Sequence, residues 1–199
     1  MDRIAKTVYI NLDRRADRRA EIEAELLTIS LSVERFAAIE RKPGALGCGL
    51  SHVAVLQKAK QEGWENVLIL EDDFTFLVDQ PTFEQELTAA FDLQIPYDVI
   101  MLAYGSTVST PINSILSRVT NAQTTSGYLV HNRFYDALIQ VWNNATTQME
   151  ATGDEHKWAI DQAWKVLQPT ADWFCFNRRI GKQRPGFSDI VGSFVTYTC

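Results

Sequence analysis

The chain has 199 residues, 46% of them hydrophobic, which is enough for one well-buried core and short for two. Its formal net charge of -6 argues against a nucleic-acid backbone or an anionic membrane as the main partner, because both attract an excess of Lys and Arg. Cys48, Cys175 and Cys199 form no CxxC pair, and neither a secretion signal nor an apolar run of roughly 20 residues is present. These features predict a single cytoplasmic domain with reduced thiols and no transmembrane segment.

Strands and helices alternate along the first half of the chain. Apolar periodicity predicts strands at residues 7–12, 33–39, 67–70 and 97–103, and helices at residues 13–27, 44–61 and 82–91. Asp13 is expected to cap the first helix, and Gly63 to end the second.

The second half continues the alternation. Strands are predicted at residues 117–120, 126–131 and 173–176, helices at 134–142 and 157–167, and an irregular tail follows. Residues 105–113, rich in Gly, Ser and Thr, are expected to form a mobile loop beside the site. The whole pattern predicts an α/β fold, with a mostly parallel or mixed sheet and helices on both faces.

An acidic triplet, Glu71, Asp72 and Asp73, follows the strand at residues 67–70. That apolar run is typical of a strand buried on both faces, and its carboxyl end is the edge at which open α/β sheets bind ligands. Clustered carboxylates repel one another unless a proton, a basic side chain or a metal ion lies among them. An oxygen-only cluster favours Mg²⁺ or Mn²⁺. The alternative is a solvated acidic loop.

Residues 11–19 form an arginine-rich polar cluster after the first strand. Arg14 and Arg18 share one face of the predicted helix, as do Arg15 and Arg19. Guanidinium groups beside a helix N-terminus suit a phosphate-bearing ligand. A solvated helix surface balanced by acidic neighbours is preferred for Arg15 and Arg19, whereas both interpretations remain open for Arg14 and Arg18.

Three glycines, Gly44, Gly47 and Gly49, stand at the start of the second helix, where each costs stability relative to Ala. They predict a close approach, either of backbone N–H groups to a diphosphate or of the helix to a neighbouring strand. Ser51 and His52 follow and are expected to line the site, with His52 not itself catalytic.

Carboxylates in the second half are candidates for a general base. Asp161 lies between Trp158 and Trp164, where partial burial would raise its pKa. A surface carboxylate on an amphipathic helix is the alternative. Asp154 and Asp189 are the next candidates.

Five pieces of sequence together resemble glycosyltransferase family 25, which contains bacterial lipooligosaccharide β-galactosyltransferases and procollagen galactosyltransferases. The pieces are residues 11–15 with Asp17 and Arg18, residues 44–52 ending in Gly-Cys-Gly-Leu-Ser-His, the strand ending in Glu-Asp-Asp73, residues 127–130 and residues 187–190. They follow the family's order over nearly the whole chain.

The resemblance implies a type-A glycosyltransferase fold (GT-A), inversion at the anomeric carbon, Mn²⁺ or Mg²⁺, and a UDP-sugar donor that is most often UDP-galactose. It matches Glu71 and Asp73 to the ribose and metal contacts of an Asp-X-Asp motif and places Asp161 on the acceptor side. Residues 1–103 are expected to bind the nucleotide sugar, and residues 104–199 to form the acceptor side of one domain. With the patterns above, the predicted site has Glu71 and Asp73 as metal ligands, Asp161 as catalytic base, and a donor-binding set of Asn11, Asp13, Arg14, Arg18, Ser51, His52, Glu71 and Asp72.

The sequence leaves more than one function open. An active galactosyltransferase would modify a glycan or a hydroxylated protein side chain. A binding or adhesion module would keep the fold without turnover, and a metal-dependent hydrolase or phosphotransferase is a third interpretation. The intact acidic triplet favours the transferase, because it has little value in a module without turnover. Peripheral contact with a membrane is compatible with the sequence, and the oligomeric state does not follow from it.

Overall fold

The computed structural model of the protein describes residues 3–196, so Cys199 lies outside the described residues. Its helices are α1 (Ala16–Thr28), α2 (Gly44–Gln61), α3 (Gln80–Asp92), α4 (Tyr135–Thr152), α5 (Glu155–Trp158) and α6 (Ile160–Ala163). Its strands are β1 (Lys6–Asn11), β2 (Glu34–Ala37), β3 (Asn66–Glu71), β4 (Phe74–Phe76), β5 (Val99–Met101), β6 (Gly105–Pro111), β7 (Leu116–Gln123), β8 (Gly127–His131), β9 (Trp173–Phe176), β10 (Gly181–Gln183), β11 (Gly186–Ser188) and β12 (Ser193–Val195).

An eight-stranded mixed sheet forms the centre of the molecule, in the order β2-β1-β3-β8-β5-β9-β7-β6. The pairs β1–β2, β1–β3 and β5–β9 are parallel, whereas β8 and β7 run antiparallel to their neighbours. Two small antiparallel two-stranded sheets, β4–β10 and β11–β12, are separate from it. The predicted α/β class with a mixed sheet is confirmed.

The two faces of the sheet bury separate apolar clusters, because successive side chains of a strand point to opposite faces. Val67 and Ile69 of β3 pack with residues of α2 and α4, whereas Leu68 and Leu70 pack with residues of α1 and α3. Helices therefore cover both faces, as predicted. Among the described residues, no helix is long and apolar enough to cross a membrane.

Four local predictions are wrong. The segment after residue 176 was predicted to be irregular, but it contains β10, β11 and β12. Residues 105–113 do not form a loop, because β6 pairs antiparallel with β7 at the edge of the sheet. The predicted helix at residues 157–167 is broken at Ala159, whose extended ψ of 139° separates α5 from α6. Asp13 does not cap α1, whose N-cap position is Arg15.

Phe74 directly follows the acidic triplet at the end of β3, and its ring packs against two glycines. A Cβ atom added at Gly181 would lie 2.1 Å from the Phe74 ring, and one added at Gly127 would lie 2.4 Å from it. Only glycine leaves room at these two positions, since real Cβ contacts are essentially never shorter than 3.0 Å. The buried ring thus fixes the backbone that immediately follows the acidic triplet.

Candidate active site

Two cavities adjoin at the carboxyl end of β3. The first has a volume of about 190 Å³, and Asn11, Arg14, Arg18 and the acidic triplet contribute to its wall. The second, of about 380 Å³, is lined by Thr124, Thr125 and Asp161 among others. Both cavities share Cys48, Glu71, Gln183, Ser188 and Ile190.

Asn11 and Glu71 lie at the same edge of the sheet because β1 and β3 are parallel neighbours. The Asn11 Nδ2 atom donates to Asp72 Oδ2 at 2.8 Å, and Arg18 Nη1 donates to Asp72 Oδ1 at 2.9 Å. Burial nevertheless raises the pKa of Asp72, against the lowering effect of these two donors.

Glu71 lies between the two cavities. Its Oε1 accepts hydrogen bonds from Thr125 Oγ1 at 2.7 Å and His52 Nε2 at 3.2 Å. Burial opposes ionisation, but these hydrogen bonds outweigh it and hold the pKa of Glu71 below its ordinary value. The carboxylate is therefore ionised at neutral pH.

Asp73 carries an unpaired buried oxygen. Its Oδ2 accepts from Arg18 Nη1 and Gln183 Nε2, both at 3.1 Å, but Oδ1 has no hydrogen-bond partner among the residues that the structure describes. Burial and the neighbouring charge of Glu71 raise the pKa of Asp73 to about 7. A buried acceptor without a donor is costly, so this atom fits a site that a cation completes.

Arg18 supplies the positive charge within the acidic turn. Its guanidinium is largely buried, and beyond Asp72 and Asp73 it also donates to the Phe187 carbonyl oxygen at 2.8 Å. A basic side chain, one of the three counter-charges that the sequence allowed, thus offsets the carboxylate repulsion.

Arg14 and Arg15 bind the C-terminal segment. Arg14 pairs with Asp189 at 2.8 Å and with Glu40 at 2.7 Å, and Arg15 pairs with both Asp17 and Asp189. The Arg15 side chain is only 13% exposed, so the prediction of a solvated Arg15 is wrong. The exposed pair of Arg19 with Glu23 agrees with the prediction for Arg19.

Asp13 and Ser51, which were both predicted to bind the donor, instead make contacts within the protein. Asp13 pairs with Arg35 at 2.6 Å, is exposed, and does not contribute to either cavity wall. The Ser51 hydroxyl is buried, donates to the Gly47 carbonyl oxygen and accepts from the Ile39 backbone N–H. Its hydrogen-bonding capacity is thus largely used within the protein.

The glycines at the start of α2 allow close packing. A Cβ atom at Gly47 would lie 2.5 Å from the Ile39 carbonyl oxygen, and one at Gly49 would lie 2.8 Å from the Thr146 side chain on α4. Of the two interpretations that the sequence left open, the contacts of these two glycines favour helix packing over contact with a diphosphate.

Asp161 contributes to the second cavity. It accepts from the Thr124 backbone N–H at 3.3 Å and from Gln162 Nε2 at 3.2 Å, and burial raises its pKa. Asp154 instead caps α5 in an exposed position. Against the effect of burial, the hydrogen bonds from Arg14 and Arg15 lower the pKa of Asp189, which makes it a weaker base.

Cys48, His52 and Glu71 place potential ligand atoms within 4.8 Å of one another, the one such grouping found among the described residues. Both His52 ring nitrogens are already hydrogen-bonded, and burial raises the pKa of the Cys48 thiol well above its ordinary value. A metal needs a thiolate and an open imidazole nitrogen, so this trio fits a metal less well than the oxygens of Glu71 and Asp73.

Several residues of the site escaped sequence reasoning. Gln183 lies in what was predicted to be an irregular tail, and Thr125 lies just before a predicted strand, with no local pattern marking either as a site residue. Tyr128 was part of the family resemblance but had no assigned role, although its hydroxyl reaches His52 at 2.8 Å.

Comparison with solved structures supports the fold. A glycosyltransferase involved in the glycosylation of the major capsid of PBCV-1 is 10% identical, with a TM-score of 0.55 and coverage of 92% of this chain and 94% of that one. A197 from STIV is 11% identical, with a TM-score of 0.53 and coverage of 98% and 95%. Similarity at this level establishes the fold alone, and the predicted GT-A-like architecture is confirmed.

A third structure is less similar. It is the mannose-1-phosphate geranyltransferase from Thermus thermophilus, which is 11% identical with a TM-score of 0.48. The match covers 89% of this chain but only 58% of that protein. No curated protein sequence matches the chain.

A family profile identifies the chain more directly. The profile of glycosyltransferase family 25, described as LPS biosynthesis protein, matches residues 42–153, which is more than half of the sequence. The match includes the glycine-rich start of α2 and the acidic triplet, both carriers of the resemblance seen in the sequence. The chain belongs to glycosyltransferase family 25.

Proposed function

We propose that the protein is an inverting, metal-dependent glycosyltransferase that transfers galactose from UDP-galactose to a hydroxyl group of a glycan or a hydroxylated protein side chain. The observation that carries the proposal is the junction of two cavities at Glu71. One holds a buried carboxylate oxygen that lacks a partner among the described residues, and the other holds a half-buried carboxylate with a raised pKa. A binding module has no need of the second carboxylate.

The first cavity would bind the donor. Glu71 and Asp73 would hold a Mn²⁺ or Mg²⁺ ion, which when bound supplies Lewis-acid stabilisation of the leaving diphosphate. Arg14 would help to orient the phosphates as a charge-assisted donor. Most of this wall comes from residues 1–103, which supports their assignment as the donor half, although residues 183–190 contribute.

The second cavity would bind the acceptor, with Asp161 as general base. An inverting transfer needs one carboxylate to take the proton from the acceptor hydroxyl. Burial raises the Asp161 pKa towards neutrality, which makes the carboxylate a stronger base while it is still ionised. Because β6 replaces the predicted mobile loop, we assign the exclusion of water to residues 188–190, of which Ser188 and Ile190 line both cavities.

The test is release of UDP from UDP-galactose with Mn²⁺ and a panel of glycan and hydroxylated-peptide acceptors. Asp161→Asn is expected to lower turnover at least about 10²-fold while leaving the thermal stabilisation by Mn²⁺ and UDP unchanged. Asp154→Asn is the matched control and should retain wild-type turnover. Stabilisation by UDP without any transfer would favour the binding module, and unchanged turnover in Asp161→Asn would exclude Asp161 as the base.

A further inference from the structure

A group of buried, hydrogen-bonded side chains contacts Glu71 on the side that faces the protein interior. His52 and Tyr128 are completely buried, and the Tyr128 hydroxyl lies 2.8 Å from His52 Nδ1. The imidazole also stacks on the Tyr128 ring and meets the edge of Trp142, each with ring centroids 5.8 Å apart. The orientation of the imidazole is therefore fixed from both sides.

The hydrogen-bond chemistry assigns the tautomer of His52. An ionised carboxylate only accepts, so His52 Nε2 carries the proton that it donates to Glu71. Tyr128 then donates to Nδ1, because its hydroxyl has no other acceptor in the described part of the chain. The resulting chain of donors runs from Tyr128 through His52 to Glu71.

Both donors to Glu71 reach the same oxygen. His52 Nε2 and Thr125 Oγ1 both bind Oε1, whereas Oε2 receives no hydrogen bond from residues 3–196. Because Glu71 contributes to the walls of both cavities, holding Oε1 from the interior leaves Oε2 available to a ligand.

We propose that His52 and Thr125 are positioning residues, which fix the Glu71 carboxylate so that Oε2 is presented to the metal–donor complex. This inference rests on the proposed function. A free glutamate side chain loses rotamer freedom when it binds a ligand, which weakens binding. The two donors already fix the Glu71 rotamer, so less conformational entropy is lost when the metal binds. Partners that orient a ligating carboxylate typically change metal affinity by 10–100-fold when they are mutated.

The test measures binding of Mn²⁺ in the presence of saturating UDP, from the loss of the free Mn²⁺ signal in electron paramagnetic resonance. Thr125→Val is expected to weaken Mn²⁺ binding by about 10–100-fold, and Thr125→Ser to restore it to within about threefold of wild type. Thr146→Val is the matched control, because it also removes a buried threonine hydroxyl, one that donates to a backbone carbonyl in α4. It should lower stability without changing Mn²⁺ affinity.

His52 is tested with the double variant His52→Phe/Tyr128→Phe, because replacing both members of a buried polar pair by apolar groups of similar shape can be nearly neutral for folding. It should also bind Mn²⁺ about 10–100-fold more weakly. Raising the Mn²⁺ concentration should restore turnover in Thr125→Val but not in Asp161→Asn. Wild-type affinity in both Thr125→Val and the double variant overturns the inference, whereas a wild-type protein that binds no Mn²⁺ with UDP overturns the proposed function.

Discussion

Asp73→Asn tests whether the acidic turn is held in an unfavourable state that a cation relieves. The substitution keeps the size of the side chain and its capacity to bond with Gln183, but it removes the charge. We expect the ligand-free variant to be more stable than wild type at pH 8, and to lose the stabilisation that Mn²⁺ and UDP give to wild type. The two effects have opposite signs, which makes the prediction specific.

The raised pKa of Asp73 sets the magnitude. Burial and the charge of Glu71 raise the pKa of Asp73 from its ordinary value of 3.8 to about 7 in the folded protein. Between these values the folded protein binds more protons, so the free energy of unfolding falls as the pH rises through that window. At about 1.4 kcal/mol for each pH unit, the upper limit is about 4 kcal/mol above pH 7.

Asparagine does not titrate, so its advantage should grow from pH 4 to pH 7 and remain constant above. Because relaxation and water entry reduce the cost of a buried charge, we expect about 2 kcal/mol at pH 8 and less than half of that at pH 5. Urea unfolding followed by circular dichroism at both pH values measures the difference. An Asn variant that is less stable than wild type at pH 8, or whose advantage does not depend on pH, refutes the reasoning.

The second part of the prediction concerns stabilisation by Mn²⁺ and UDP, and it compares the same two proteins, wild type and Asp73→Asn. Wild type should gain thermal stability with Mn²⁺ and UDP, by about 2.7 kcal/mol at ligand concentrations 100-fold above the dissociation constant. Asp73→Asn should show at most a small gain, because the amide is a weaker metal ligand than a carboxylate. A variant that responds to both ligands as wild type does would exclude Asp73 as a metal ligand.

Three further substitutions examine the surroundings of the turn. Arg14→Ala should raise the KM for the donor more than it lowers kcat, since phosphate positioning is largely uniform binding, and steady-state kinetics would show the split. Arg18→Ala should raise the pKa of Asp73 further, because an attractive charge is lost, and so move the rise in Mn²⁺ affinity to higher pH. Gly181→Ala should lower the free energy of unfolding by about 1–3 kcal/mol, as its methyl group would overlap the Phe74 ring, and denaturant melts would detect it.

The regular elements of the chain were largely predictable because their signals are local. Helix α2 spans the predicted residues 44–61, and strand β9 spans the predicted residues 173–176. The prediction failed at β6, where a strand forms from Gly, Ser and Thr residues because pairing with β7 supplies its hydrogen bonds. It also failed at α5 and α6, where extended backbone at Ala159 interrupts an otherwise helical pattern.

The residue types at the candidate site could be read from the sequence, whereas most of their contacts could not. The triplet after an apolar strand indicated a charged ligand site. The tryptophans around Asp161 indicated that it is partly buried with a raised pKa, and the structure agrees on both points. The side chains that hold these acids lie far away in the sequence: Thr125 is 54 residues from Glu71, and Gln183 is 110 residues from Asp73. Such pairs follow from the order of strands in the sheet, which no local pattern encodes.

Arg18 illustrates the limit most clearly. Electrostatics alone requires a counter-charge for three adjoining carboxylates, and that requirement follows from the sequence. Which cation meets it depends on the fold, which brings Arg18 from 54 residues away to within 2.9 Å of Asp72. Because the same guanidinium also contacts Asp73, a metal ion at Asp73 would share that carboxylate with Arg18 and weaken their contact. Arg18 would then be available to an incoming diphosphate, so the phosphate contact that the sequence suggested for Arg18 is compatible with the counter-ion role that the structure gives it.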